Sequence, residues 1–119
     1  MANEVSIAVS LTYNKNGVSA IREESFKADV AGDSMEHAIQ SIGTTHETLQ
    51  EAADLGGAGW VFLKNLDPTN FVEFGYADEQ FTIKLLPGES TVFRWSEGGA
   101  ITAQANTSAC LVEFMIVET

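Results

Sequence analysis

Three oxygen-bearing side chains, Asn65, Asp67 and Asn70, fall within one short stretch, Asn65-Leu66-Asp67-Pro68-Thr69-Asn70. Such a cluster is the raw material of a calcium loop. An EF-hand loop needs acids or amides at alternate positions, a central glycine and a distal bidentate glutamate. Here Leu66 and Pro68 interrupt the pattern and no such glycine follows. A turn accounts for the same residues more simply. Asp67 at the first turn position accepts a backbone N–H, Pro68 presets φ at the second, and Asn70 takes the left-handed conformation.

Other candidates for chemistry lead to similar readings. His37 and His46, each beside a glutamate (Glu36 and Glu47), make a two-histidine, carboxylate metal site conceivable, but no His-Glu-x-x-His spacing is present and solvated surface is the default. A nucleophile elbow of the Gly-x-Ser-x-Gly type is absent from the sequence, and Gly56-Gly57-Ala58-Gly59 lacks the Lys-Ser/Thr of a phosphate loop. Cys110 has no base beside it and sits in an apolar run, which suits a small core hydrophobe. The aromatics Trp60, Phe71, Phe74, Tyr76 and Trp95 raise the possibility of a sugar-stacking platform. Trp60 leads an apolar run and Trp95 ends one, which favours core or interface packing. These readings leave no catalytic, cofactor or metal residue to nominate.

The elements that must hold these residues are strands. Val5, Ile7, Val9, Leu11 and Tyr13 alternate with polar or small residues, which is the pattern of a half-buried strand. Asn16-Gly17 supplies the positive φ values of a tight hairpin turn, and the return strand runs over 18–30 with Phe26, Ala28 and Val30 inward. Further strands are expected near 60–64, 71–76, 81–86, 91–95, 100–105 and 111–117. Pro87 and Gly88 occupy the second and third positions of a type II turn. Many short strands with regular turn signals specify an all-β fold, an antiparallel sandwich or jelly roll, formed by residues 1–119 as one domain. Residues 33–54 are the open point. Asp33 with Glu36 resembles a capping box before Met35, Ala38, Ile39 and Ile42 at helical spacing, but Met35, His37 and Ile39 also alternate as a strand would. Mixed strand and loop, or a short helix, both fit these residues.

The chain has 119 residues, enough for one core, and a net charge of −11 at pH 7. Nine acids and three bases lie in residues 1–59, and eight acids and three bases in 60–119, so the charge is spread and no acidic tail exists. A field of that sign opposes nucleic-acid backbones and anionic membranes. One cysteine excludes an internal disulfide, and synthesis and folding in a reducing cytosol is the simplest reading. The runs Trp60–Leu63 and Leu111–Val117 are apolar on both faces or nearly so. One face meets the core, and the other has to meet a second layer or another subunit.

Gly59–Val72, Ile83–Glu89 and Ala103–Thr107 give the chain a resemblance to small tailed-bacteriophage virion proteins. The shared features are an Asn-Leu-Asp-x-Thr-Asn corner between strands, a Leu-x-Pro-Gly-Glu turn, an Ala-x-Ala-Asn edge and an apolar C-terminal strand. The resemblance covers about residues 40–119, and Pro68 stands where a small residue is usual. It implies a β-sandwich or jelly-roll part of a virus particle, made in the host cytoplasm and placed on the outer capsid surface. The resulting expectation is a non-enzymatic capsid decoration protein without cofactor, binding copies of itself (a trimer, for example) and the major capsid protein. Trp60, Phe62, Phe114 and Met115 are the expected interface residues. Asn65, Asp67, Pro68, Asn70, Pro87 and Gly88 are expected to be structural turn residues. Alternatives are a tail, baseplate or fibre-base component and a carbohydrate-binding module for host attachment.

Overall fold

A computed structural model describes residues 3–50, 57–77, 80–96 and 100–118. Among the described residues it contains ten strands and no helix. The strands are β1 (Val5–Lys15), β2 (Val18–Ala28), β3 (Met35–Ile42), β4 (Glu47–Thr48), β5 (Ala58–Asn65), β6 (Val72–Ala77), β7 (Gln80–Leu85), β8 (Ser90–Arg94), β9 (Thr102–Ala105) and β10 (Cys110–Glu118). The chain divides into two compact units, Met1–Ala31 and Gly32–Thr119.

The larger unit is a jelly-roll sandwich of two four-stranded antiparallel sheets, ordered β3–β10–β5–β8 and β4–β9–β6–β7. Period-two alternation places Val61 and Leu63 of β5 and Val112, Phe114 and Ile116 of β10 on one inner face. Val72 and Phe74 of β6, Leu85 of β7 and Ala103 and Ala105 of β9 meet them from the other sheet. Ile42, Ile101 and Cys110 close the ends of this core, so the thiol is the small core hydrophobe its neighbours suggest. β3 settles the open point near its residues: the alternating reading prevails over the helical one, because Met35–Ile42 pairs with β10 in an unbroken antiparallel ladder along one side. Further along, Glu47–Thr48 forms a short strand, and residues 51–54 lie outside the described residues.

The smaller unit is the hairpin β1–β2, an unbroken antiparallel ladder from Val5↔Ala28 to Lys15↔Val18. Asn16 and Gly17 both have positive φ, as an Asn-Gly hairpin turn requires. These strands were expected to join the sandwich sheets with Phe26 inward. They form a two-stranded sheet of their own, and Phe26 is exposed.

Gly75 sits where β6 changes register against β7. A Cβ there would overlap the backbone carbonyl of Gln80, and Thr102 Oγ1 donates to the Gly75 carbonyl at 3.0 Å. The partner atoms are backbone and have nowhere to move. Gly75→Ala is therefore expected to lower stability by about 1–3 kcal/mol, the usual range for overpacking, measured from the denaturant midpoint.

Candidate functional site

The three segments that stood out in the sequence are far apart in the chain and meet at one end of the sandwich. Asn65 is the last residue of β5, with its side chain on the inner face at the point where the apolar core ends. It is fully buried. Its Nδ2 donates to the Asn70 carbonyl (2.8 Å) and to the Leu85 carbonyl (3.1 Å), and its Oδ1 accepts the Asp67 N–H (2.9 Å). Leu85 ends β7 in the opposite sheet, so this carboxamide bridges the two layers. The backbone is also occupied: Asn65 N–H donates to the Glu89 carbonyl (2.9 Å), and Gly88 N–H donates to the Asn65 carbonyl (3.0 Å).

Asp67 acts one step further out. Its Oδ2 accepts the backbone N–H groups of Asn70 (2.6 Å) and Thr69 (2.9 Å) and the Thr69 hydroxyl (3.2 Å). These donors, Thr69 first and Asn70 second, hold its carboxyl below the ordinary carboxylate range because they favour the charged form. Pro68 has no N–H to leave stranded in this bend. Asn70 does not adopt the expected left-handed backbone; the positive-φ residues other than glycine are Asn3 and Asn16. It contributes through its side chain, where Thr107 Oγ1 donates to Oδ1 (2.6 Å) and Nδ2 donates to Ser108 Oγ (3.0 Å). That ties the β5–β6 corner to the β9–β10 turn.

The third segment completes the ring. Gly88 has φ +80°, as the third position of a type II turn requires, and Glu89 N–H donates back to the Leu86 carbonyl at 3.0 Å. Glu89 Oε1 accepts the Leu86 N–H (2.8 Å). Asp67 Oδ2, Asn65 Oδ1 and Glu89 Oε1 are thus engaged by backbone and hydroxyl donors. Among the described residues, no three His, Cys, Asp or Glu side chains gather as a metal site would require. His37 Nε2 lies 2.8 Å from Glu113 Oε2 on the surface, and His46 lies in the β3–β4 connection. Burial, and secondarily the charge of Asp67 and a hydrogen bond with it, pushes the Cys110 thiol up, so the sulfur is held as an unreactive thiol.

The expected interface residues separate by strand parity. Met115 and Phe62 are direct cross-strand partners, and Val117 pairs with Trp60, all on the outer face of β3–β10–β5–β8. Phe114 is a correction: it points inward, is 1% exposed and belongs to the core. Glu113 marks the outward parity of β10, and that one charge in an apolar run is the signal that separates Phe114 from Met115. The two tryptophans do not form an open platform. The Arg94 guanidinium covers the Trp60 ring at 4.7 Å, and Trp95 packs against the core with its ring 6.0 Å from that of Phe93. Phe74 is buried, and Lys84 Nζ lies 4.2 Å over the Phe71 ring.

Asn65→Ala leaves the Leu85 and Asn70 carbonyls and the Asp67 N–H without their partner. Such losses cost roughly 1–3 kcal/mol each at buried groups, so a fall of about 3 kcal/mol is expected in denaturant unfolding. For Asp67 the folded carboxyl titrates below its unfolded value. Its contribution is therefore complete above about pH 4 and disappears as pH falls through the lowered folded value. In stability profiles from pH 5 to pH 2, Asp67→Asn is expected to show a shallower acid limb than the native protein. Cys110 is expected to react with a water-soluble disulfide reagent only at the rate of unfolding, and rapid native-state labelling would contradict its placement.

No family model matches the chain, and no curated protein sequence matches it. Among solved structures, a cupin superfamily protein from Desulfitobacterium hafniense DCB-2 is 13% identical, over 95% of this chain and 79% of its own, with a TM-score of 0.45. A second, from work describing Bacillus endospore appendages as a novel family of disulfide-linked pili, is 11% identical over 100% of this chain and 96% of its own, with a TM-score of 0.50. At 11% identity the second likeness is one of fold alone.

Proposed function

We propose that this chain is a non-enzymatic structural subunit that binds copies of itself, and that the particle it serves is a bacteriophage virion, on whose capsid lattice it sits as a decoration protein. The observation that carries this reading is the outer face of β3–β10–β5–β8. Trp60, Phe62 and Met115 lie there on neighbouring strands, with the exposed Met35, Ile39 and Leu111 extending the same surface. Four strands about 4.8 Å apart and eight residues of about 3.3 Å each span a projected area of roughly 500 Å². On this mixed surface the apolar side chains stand among His37, Lys64, Arg94 and Glu113; an apolar share on this scale suits a contact surface, and burying it gains about 25 cal/mol per Å².

The virion assignment rests on the sequence resemblance. The corner, the Pro-Gly-Glu turn and the Ala-x-Ala-Asn edge converge on one hydrogen-bonded end of the sandwich, which accounts for their recurrence together by folding rather than by catalysis. The pilus subunit that shares the fold belongs to a repeating polymer, which agrees with a self-associating role at the level of fold alone. Its pili are disulfide-linked. Here the single cysteine is buried, so association through strand faces fits this chain better than covalent linkage.

Phe62→Asp is expected to weaken self-association at least tenfold in sedimentation velocity while the circular dichroism spectrum and thermal midpoint stay near native. Mass spectrometry of purified virions from the phage carrying this sequence should find the chain in hundreds of copies. Its absence from particles would remove the virion assignment.

A further inference from the structure

The outer face of β3–β10–β5–β8 carries a pattern of apolar and charged residues that complements itself. Register sets three rows across its two central strands: Val117 of β10 beside Trp60 of β5, then Met115 beside Phe62, then Glu113 beside Lys64. The first two rows are apolar, and the third is one acid and one base. We infer that two copies pack this face against itself about a two-fold axis that runs parallel to the strands, between β10 and β5. This inference rests on the self-association proposed above and names the symmetry of the contact.

Symmetry decides what each residue meets. A two-fold contact joins one patch to the same patch, so the patch has to be self-complementary. An axis along the strands sets every row opposite the same row and exchanges β10 with β5. Each Glu113 then faces Lys64 of the second copy, and with the cross-strand pair inside each copy this makes a square of alternating charge. In the neighbouring rows Met115 meets Phe62 and Val117 meets Trp60, thioether and aliphatic groups against rings. Sheets packed face to face cross at about 30°, which displaces the charged row by about 3 Å, within the reach of a lysine side chain. An axis across the strands, through the middle row, exchanges the first row with the third. Glu113 then faces the apolar Val117, Lys64 faces a Trp60 ring that Arg94 already covers at 4.7 Å, and His37 faces His37. Charge therefore selects the axis along the strands.

Local charge and area also suit a second copy. Among the described residues, the strand positions of this face hold two bases, Lys64 and Arg94, and one acid, Glu113, with His37 Nε2 at 2.8 Å from its Oε2. This face thus does not share the strong negative balance of the chain, which is −11 in all. The outer face of the other sheet presents Glu73, Lys84 and Gln104, polar rows that do not match Trp60 and Phe62. Arg94 and His37 stand on the edge strands β8 and β3, at the rim, where the polar groups of an interface belong. Two faces of roughly 500 Å² each remove about 1,000 Å² from water, where specific association begins.

The test reverses one charge at a time in the full-length chain. Lys64→Glu gathers four carboxylates in the square and Glu113→Lys gathers four ammonium groups. Each variant is expected to keep the native circular dichroism spectrum and to dimerise about tenfold more weakly, or worse, in sedimentation velocity. An equimolar mixture of the two is expected to regain native-like association as a heterodimer, because every acid then faces a base of the other variant. Both variants remain strongly acidic, so attraction between bulk charges does not produce that recovery. If Phe62→Asp dissociates the chain while the two charge variants associate as the native chain does, the axis is wrong and self-association through this face stands. Weakening of both variants without recovery in the mixture, or a native trimer in place of a dimer, also overturns the axis. A native chain that stays monomeric at all concentrations overturns both the axis and the self-association beneath it.

Discussion

The carboxamide of Asn65 is the constraint on which the sandwich depends. Apolar contact holds two sheets face to face but does not fix their ends, where strands stop and backbone groups lose their ladder partners. Asn65 sits at such an end, fully buried, and donates to the last carbonyl of β7 in the opposite sheet and to the carbonyl of Asn70 at the mouth of β6. No apolar side chain of that size can make these bonds. Asp67 then shapes the bend, Asn70 reaches the β9–β10 turn, and the Pro87-Gly88 turn closes onto the Asn65 backbone. The registers of three connections therefore depend on one buried amide.

This arrangement separates two roles within the molecule. Polar side chains at the end of the sandwich bond to backbone groups there. The apolar residues that the core does not take are displayed on the outer sheet face and along the hairpin. The net charge of −11 opposes the approach of two copies at long range.

Much of the fold was legible in the sequence. Alternation located the strands, and Asn16-Gly17 and Pro87-Gly88 announced their turns, because these signals are local and have one structural meaning. The stretch Met35–Ile42 was not legible, since its apolar residues satisfy helical and strand periods together and only pairing with β10 decides between them. Phe114 was placed outward for a related reason: in a run apolar on both faces, hydrophobicity carries no parity, and the outward Glu113 is the residue that fixes it. The left-handed backbone expected at Asn70 is not found, and its side chain is held by Thr107 and Ser108, thirty-seven and thirty-eight residues away, which no local signal announces. That β1 and β2 form a sheet of their own was likewise invisible, as alternation shows that a strand has two faces but not which strands pair with it.

Sedimentation equilibrium of the native chain across a wide concentration range, from about 1 to about 500 µM, tests the central claim most directly. Burial of the apolar strand faces by copies of the same chain predicts a mass that rises to a discrete multiple of the 12.8 kDa monomer. A mass that stays at one monomer throughout would contradict it.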